Sequence, residues 1–236
     1  MSWVDFSDFS HRWSKIETLD GGGQGHAYKV ESVTSPGEYR FLKVLKDQTN
    51  AERRGRMFRE AAALSTYSHP SIPRLIESNA HRHNDKSFKL YAVTEWVDGD
   101  ALSSSNNHPV SIERAVLIIR QLAETLRYVH NLGDGHRDVK PDNVILGHDG
   151  QTAYLVDFGL TFNVDRRDAF ETGDWQELGN RFLRLPELAP YSPSNRDKRS
   201  DLTFLTGLFY FLLFGQVPAV LQDAKGRMPH HRPEIR

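Results

Sequence analysis

The stretch His136-Arg137-Asp138-Val139-Lys140-Pro141-Asp142-Asn143 decides how this chain is read. Within it stand a histidine, an arginine, two carboxylates, a lysine and an amide, with a proline stiffening the backbone between them. A second acidic motif, Asp157-Phe158-Gly159, begins fourteen residues after Asn143. Six specified residue types in eight positions, H-R-D-x-K-P-x-N, are hard to reach by chance in a polar loop. Carboxylate and amide oxygens are also the donors that a hard divalent cation takes.

The surrounding chain narrows the choice of setting. With 236 residues, 38% of them hydrophobic, it can bury a core as one larger domain or two small lobes. The 30 basic and 31 acidic residues leave a net charge of −1, so no global field argues for nucleic acid or an anionic membrane. Zero cysteines exclude a disulfide framework, thiolate chemistry and a zinc–sulfur site, and fit a reducing compartment. Met1-Ser2-Trp3-Val4-Asp5 lacks the basic-then-apolar pattern of a signal peptide. The longest apolar run, Leu208 to Phe214, falls far short of the about 20 residues that span a bilayer and reads as a buried helix. The expectation is a cytoplasmic protein with no nucleic-acid partner and no membrane segment. Its oligomeric state is not readable.

Hydrophobic patterning divides the chain near Glu95 to Gly99. Lys15-Ile16-Glu17, Ala27 to Val30 and Tyr39 to Leu45 read as short strands separated by glycine-bearing turns. Residues 51–66, rich in Ala, Arg, Glu and Leu, read as a helix closed by Ser68-His69-Pro70. A polar loop over 78–88 leads into a strand at Phe88 to Thr94. Beyond Asp98-Gly99 the pattern turns helical, with Val116, Ile119, Leu122, Ala123, Leu126 and Val129 as the apolar stripe of Ile112 to His130. Domain junctions of this kind commonly hold ligand clefts.

Taken together, these motifs resemble the eukaryotic-type (Hanks-type) serine/threonine protein kinase family, and the resemblance runs from residue 15 to about 218. It implies an α+β, bilobal kinase-like fold, with a β-rich N-lobe over residues 1–95 and a helical C-lobe over 96–236 that lacks its last helices. It also implies ATP and Mg²⁺ as cofactors and a protein substrate with a serine or threonine acceptor. In family terms Asp138 is the base that meets the attacking hydroxyl, Lys140 neutralises charge on the moving phosphoryl group, and Asn143 and Asp157 hold Mg²⁺. A lysine two places after the base is the serine/threonine form of the loop. His136 and Phe158 are expected to pack. The glycine-rich stretch Asp20 to Val30 resembles the loop that covers the phosphates, with Gly22 and Gly25 as its second and third glycines. Lys43 would pair the α- and β-phosphates, partnered by Glu60 in the following helix. The backbone of Glu95 and Val97 would receive the adenine, with Thr94 behind it. The compact Gly22-Gly23-Gln24-Gly25 loop looks more like bacterial eukaryotic-like members.

The chain departs from the family pattern in places. Asp20 stands for the first glycine, Ala27 for the valine beneath the adenine, and Phe41 for the small residue before the lysine, unless the register there is shifted. Gly179-Asn180-Arg181 replaces G-T-P, and Arg181 and Arg184 add positive charge. Leu185-Pro186-Glu187 corresponds to A-P-E, and Asp201 is expected to brace the catalytic loop from below. Thr161 and Thr172 lie in the activation segment; Thr172 is a candidate phosphosite and Arg137 a candidate receiver of its phosphate. Two other readings stay open: a pseudokinase acting as a nucleotide-binding or interaction module, and a small-molecule phosphotransferase on a kinase-like fold.

Overall fold

Alternating apolar and polar residues ahead of position 96 build one antiparallel sheet. Its strands are β1 (Trp13–Leu19), β2 (Gly25–Ser32), β3 (Tyr39–Leu45), β4 (Leu75–Ser78) and β5 (Tyr91–Glu95), in the order β1-β2-β3-β5-β4. The computed structural model of the chain describes residues 2–19, 25–103, 109–163, 183 and 197–218. One face of the sheet closes over a small core of Trp13, Val30, Leu42, Tyr91 and Val93. Side chains alternate along a strand, so Phe41 and Lys43 face the other way. Phe41 pairs in register with Lys29 and Thr94, and Lys43 with Ala27 and Ala92.

Helix α1 (Ala51–Thr66) packs beside that second face. Asn50 caps it by accepting the Arg53 N–H at 3.0 Å, and Met57, Ala61 and Leu64 form the apolar part of its buried stripe. The chain leaves it at Tyr67 in an extended conformation. β4 is an edge strand, and the N-terminal residues cover part of it. Trp3 bridges Ser78 in parallel, the Val4 N–H donates to the Ser78 carbonyl at 3.0 Å, and the Ser78 N–H donates to the Ser2 carbonyl at 2.8 Å. The Trp3 ring then meets Phe58 of α1 at 6.0 Å. Nothing in the sequence pattern announces this strap.

The second half is helical around a larger core. Ser111 caps α2 (Ile112–Asn131), whose buried residues include Ala115, Ile118, Leu122, Leu126 and Val129. The expected stripe is therefore rotated at its start: Val116 is exposed and Ile119 only partly buried. Ile112, Val116 and Leu117 all reach solvent, so apolar residues surround the first turns and blur the period. Helix α3 (Ser200–Phe214) buries Phe204, Leu208, Phe211 and Leu212 and ends on Gly215, whose φ of 67° places it in the left-handed region. Two small sheets complete this half. β6 (Gly99–Ala101), β8 (Val144–Gly147) and β9 (Ala153–Leu155) form one, and β7 (Asp134–Gly135) pairs with β10 (Phe162–Asn163) in the other. Of these, the sequence pattern announces only the strand near Tyr154. Among the described residues no helix is long and apolar enough to cross a membrane.

Candidate active site

Past β7 the chain enters the H-R-D stretch with its backbone already tethered. Asp201, at the start of α3 and 1% exposed, accepts the His136 N–H at 2.8 Å and the Arg137 N–H at 2.7 Å. The same carboxylate meets His130 Nε2 at 2.8 Å. These bonds hold Arg137 at φ 65°, a left-handed conformation that costs a non-glycine residue on the order of 1–3 kcal/mol. Beyond this turn Asp138 Oδ2 lies 2.9 Å from Lys140 Nζ and accepts from Asn143 Nδ2 at 2.9 Å. A one-turn 3-10 segment, Pro141–Asn143, swings Asn143 back so that its amide also donates to the Asp138 carbonyl at 2.7 Å. Asp138 Oδ1 is buried with no hydrogen-bond partner among the described residues. Burial pushes the Asp138 carboxyl above the usual aspartate range, and the Lys140 ammonium offsets part of that.

β9 delivers Asp157, also left-handed at φ 61°, to the other half of the site. Lys43 Nζ donates to Glu60 Oε2 at 2.7 Å and to Asp157 Oδ1 at 3.0 Å. Burial works to lower the Lys43 ammonium, but the Asp157 and Glu60 carboxylates outweigh it and hold Lys43 protonated, above its ordinary value. At Asp157 burial works to raise the carboxyl, and the Lys43 charge and hydrogen bond bring it below the usual range. Phe158 is fully buried, its ring 5.2 Å from Tyr67 and 4.6 Å from His136. His136 joins the two halves. Its Nδ1 accepts the Asp138 N–H at 3.2 Å, and Nε2, left to carry the proton, donates to the Val156 carbonyl at 3.2 Å.

The register of β3 settles where Phe41 stands: two residues before Lys43, on the same face, half-buried and opposite Thr94. At Gly25 an added Cβ would meet Lys43 Cγ at 3.1 Å and the Val44 carbonyl at 3.2 Å, so the bare backbone there lets Lys43 run beneath it. The Glu95 carboxylate is taken by Arg74, whose Nε donates at 2.6 Å, and the Glu95 N–H donates to the Arg74 carbonyl at 3.0 Å. Val97 is buried. A cavity of about 500 Å³ opens beside this segment, lined by Arg40, Trp96, Asp149 and Tyr154 among others; none of Lys43, Asp138 or Asp157 reaches it. Thr161 is buried, as is Arg137. Asp20, Gly22, Thr172, Asn180, Arg181, Arg184, Leu185-Pro186-Glu187 and the end of the chain from 219 lie outside the described residues.

The site thus consists of a carboxylate–lysine–amide group on one loop and a lysine clamped by two carboxylates across from it. The protein kinase domain family matches residues 13–235. The chain belongs to the protein kinase family. It is similar to the serine/threonine-protein kinase Pkn2 of Myxococcus xanthus, at 32% identity over 88% of this chain and 25% of the relative. It is also similar to the serine/threonine-protein kinase PknE of Mycobacterium tuberculosis, at 30% identity over 84% of this chain and 34% of the relative. Similarity to the serine/threonine-protein kinase PrkC of Bacillus subtilis is 27% identity over 89% and 31%. The chain spans between a quarter and about a third of the length of these curated relatives.

Proposed function

We propose that this chain is an ATP- and Mg²⁺-dependent serine/threonine protein kinase domain that transfers the γ-phosphoryl group to a protein hydroxyl, its own included. The observation that carries the reading is the pairing of two clusters: Lys43 on Glu60 and Asp157, and Asp138 on Lys140 and Asn143, joined through His136. The names of the three relatives above, each a serine/threonine-protein kinase, support it and weigh against a pseudokinase. The zero-cysteine composition supports a cytoplasmic setting.

The residues fit a magnesium–nucleotide complex. Asn143 and Asp157 offer oxygen, and among the described residues no group of three or more His, Asp or Glu side chains is placed to enclose an ion. Mg²⁺ habitually takes one or two protein oxygens and fills its shell with water and phosphate. When bound between Asn143 and Asp157, the ion would neutralise charge on the phosphate oxygens.

This chain's own residues would do the rest. Lys43, bonded to Glu60, would pair the α- and β-phosphates. Gly25, together with Gly22 by the family's pattern, would offer backbone N–H groups to them. The backbone of Glu95 and Val97 receives the adenine where the 1–95 lobe meets 96–236, with Phe41 against the base. Asp138 turns its unpartnered Oδ1 to the acceptor hydroxyl and takes its proton, and its raised basicity suits that task. Lys140, bonded to the other oxygen, balances the charge that develops.

Titration with ATP and Mg²⁺ tests this division of roles. Asp138→Asn should cut transfer by about 10²–10⁴-fold, the usual contribution of a positioned base, with nucleotide affinity nearly intact. Asp157→Asn should weaken Mg²⁺-dependent binding as well as transfer. Equal loss of nucleotide binding in both variants contradicts the assignment.

A further inference from the structure

Arg54 is among the largest fully buried side chains of the protein, at 1% exposure. Arginine is almost never fully buried unless paired, yet among the described residues no carboxylate bonds to it. All of its N–H donors end on main-chain carbonyls and one side-chain amide oxygen. Nε donates to His83 at 2.7 Å, and Nη2 to Arg82 at 3.0 Å and Asp85 at 2.6 Å. Nη1 donates to the Gln48 and Phe88 carbonyls at 3.1 and 3.0 Å and reaches Gln48 Oε1 at 3.3 Å. The Asp85 carboxylate itself is taken by Ser87. The ring is drawn from the linker before α1 and from the 82–88 segment between β4 and β5, two pieces of chain anchored in the sheet.

A planar fork with five fixed donors sets orientation as well as position, which an apolar residue in the same place would not do. Glu60 follows Arg54 by six residues, about 9 Å along the helix and roughly 120° around it. Rotation of α1 about its axis would therefore carry Glu60 away from Lys43, and the carbonyl ring resists that rotation. We propose that Arg54 is a positioning residue for the Lys43–Glu60 pair, fixing the rotation of α1 at which the carboxylate reaches the amine. Its meaning for catalysis rests on the kinase reading of that pair; the coupling itself does not.

Acetylation by acetic anhydride, followed lysine by lysine by mass spectrometry without nucleotide, reads the pair directly, because only the unprotonated amine reacts. In Arg54→Met, Lys43 should label about tenfold faster relative to Lys15 and Lys29, because its amine is released from the Glu60 carboxylate that favours the protonated form. In a Glu60→Gln background the same substitution should add nothing further. Unchanged Lys43 labelling in folded Arg54→Met, or an additive increase in the Glu60→Gln background, overturns the proposal and leaves Arg54 a packing residue. Arg54→Lys keeps the charge with fewer donors and serves if the methionine variant does not fold. Its Lys43 should label at a rate between the two, and a wild-type rate overturns the proposal equally. Since no phosphate transfer is read, a protein without kinase activity still shows whether the carbonyl ring acts on Lys43.

Discussion

On the catalytic loop, one buried carboxylate, Asp201, reaches back across 64 and 65 residues to hold two backbone N–H groups. Across the site, among the described residues, Lys43 is held by side-chain tips, those of Glu60 and Asp157, 17 and 114 residues away. The first arrangement fixes the backbone that carries Asp138. Breaking it strands buried amides, so it belongs to the stability of the fold as much as to the site. The second depends on the mutual placement of α1, β3 and the loop that carries Asp157, and a shift of any of them changes it. One cluster is thus tied through main-chain amides, the other through side-chain contacts between separate elements.

The comparison can be broken most forcefully at its backbone-tied end. Asp201→Ala leaves two buried N–H groups unpaired, which at 1–3 kcal/mol each should cost about 3 kcal/mol of stability. Glu60→Gln keeps the shape, should cost less than about 1 kcal/mol, and should act instead through a raised KM for ATP. Urea unfolding of both variants checks this. Comparable destabilisation by the two would erase the distinction.

A smaller effect sharpens it. Asp138 must be ionised to accept a proton, and its carboxyl lies above the usual range, so kcat should fall with acidification earlier than an ordinary aspartate would dictate. Lys140 pulls that carboxyl down, so Lys140→Met should move the acidic limb further up in pH, whatever it does to the maximal rate. A limb that stays in place, or moves down, contradicts the role assigned to the Asp138–Lys140 contact.

Most of the β-rich half is legible because its signals are local. β3 and α1 run over the same residues that alternation and composition pick out, Tyr39–Leu45 and Ala51–Thr66. Lys43, Glu60, Asp138, Asn143 and Asp157 stand out through motif spacing. What stays hidden is held by backbone atoms, which every residue possesses and no pattern distinguishes. The strap over β4 is tied by the main chain of Ser2 and Val4. Arg54 looks like one more charge on a solvated helix because its partners are carbonyls; a carboxylate at helical spacing would have drawn notice. The rotated stripe of α2 has a different cause: apolar residues on more than one side of its first turns, from which no single face can be read.

The most direct test is the intact mass of the purified protein before and after incubation with ATP and Mg²⁺, alongside Asp157→Asn. A gain of phosphate by the wild type, absent from the variant, is the expected result. Mg²⁺-dependent ATP binding by the wild type with no phosphate gained, on itself or on an added protein substrate, would contradict the claim that these two clusters form a working phosphoryl-transfer site.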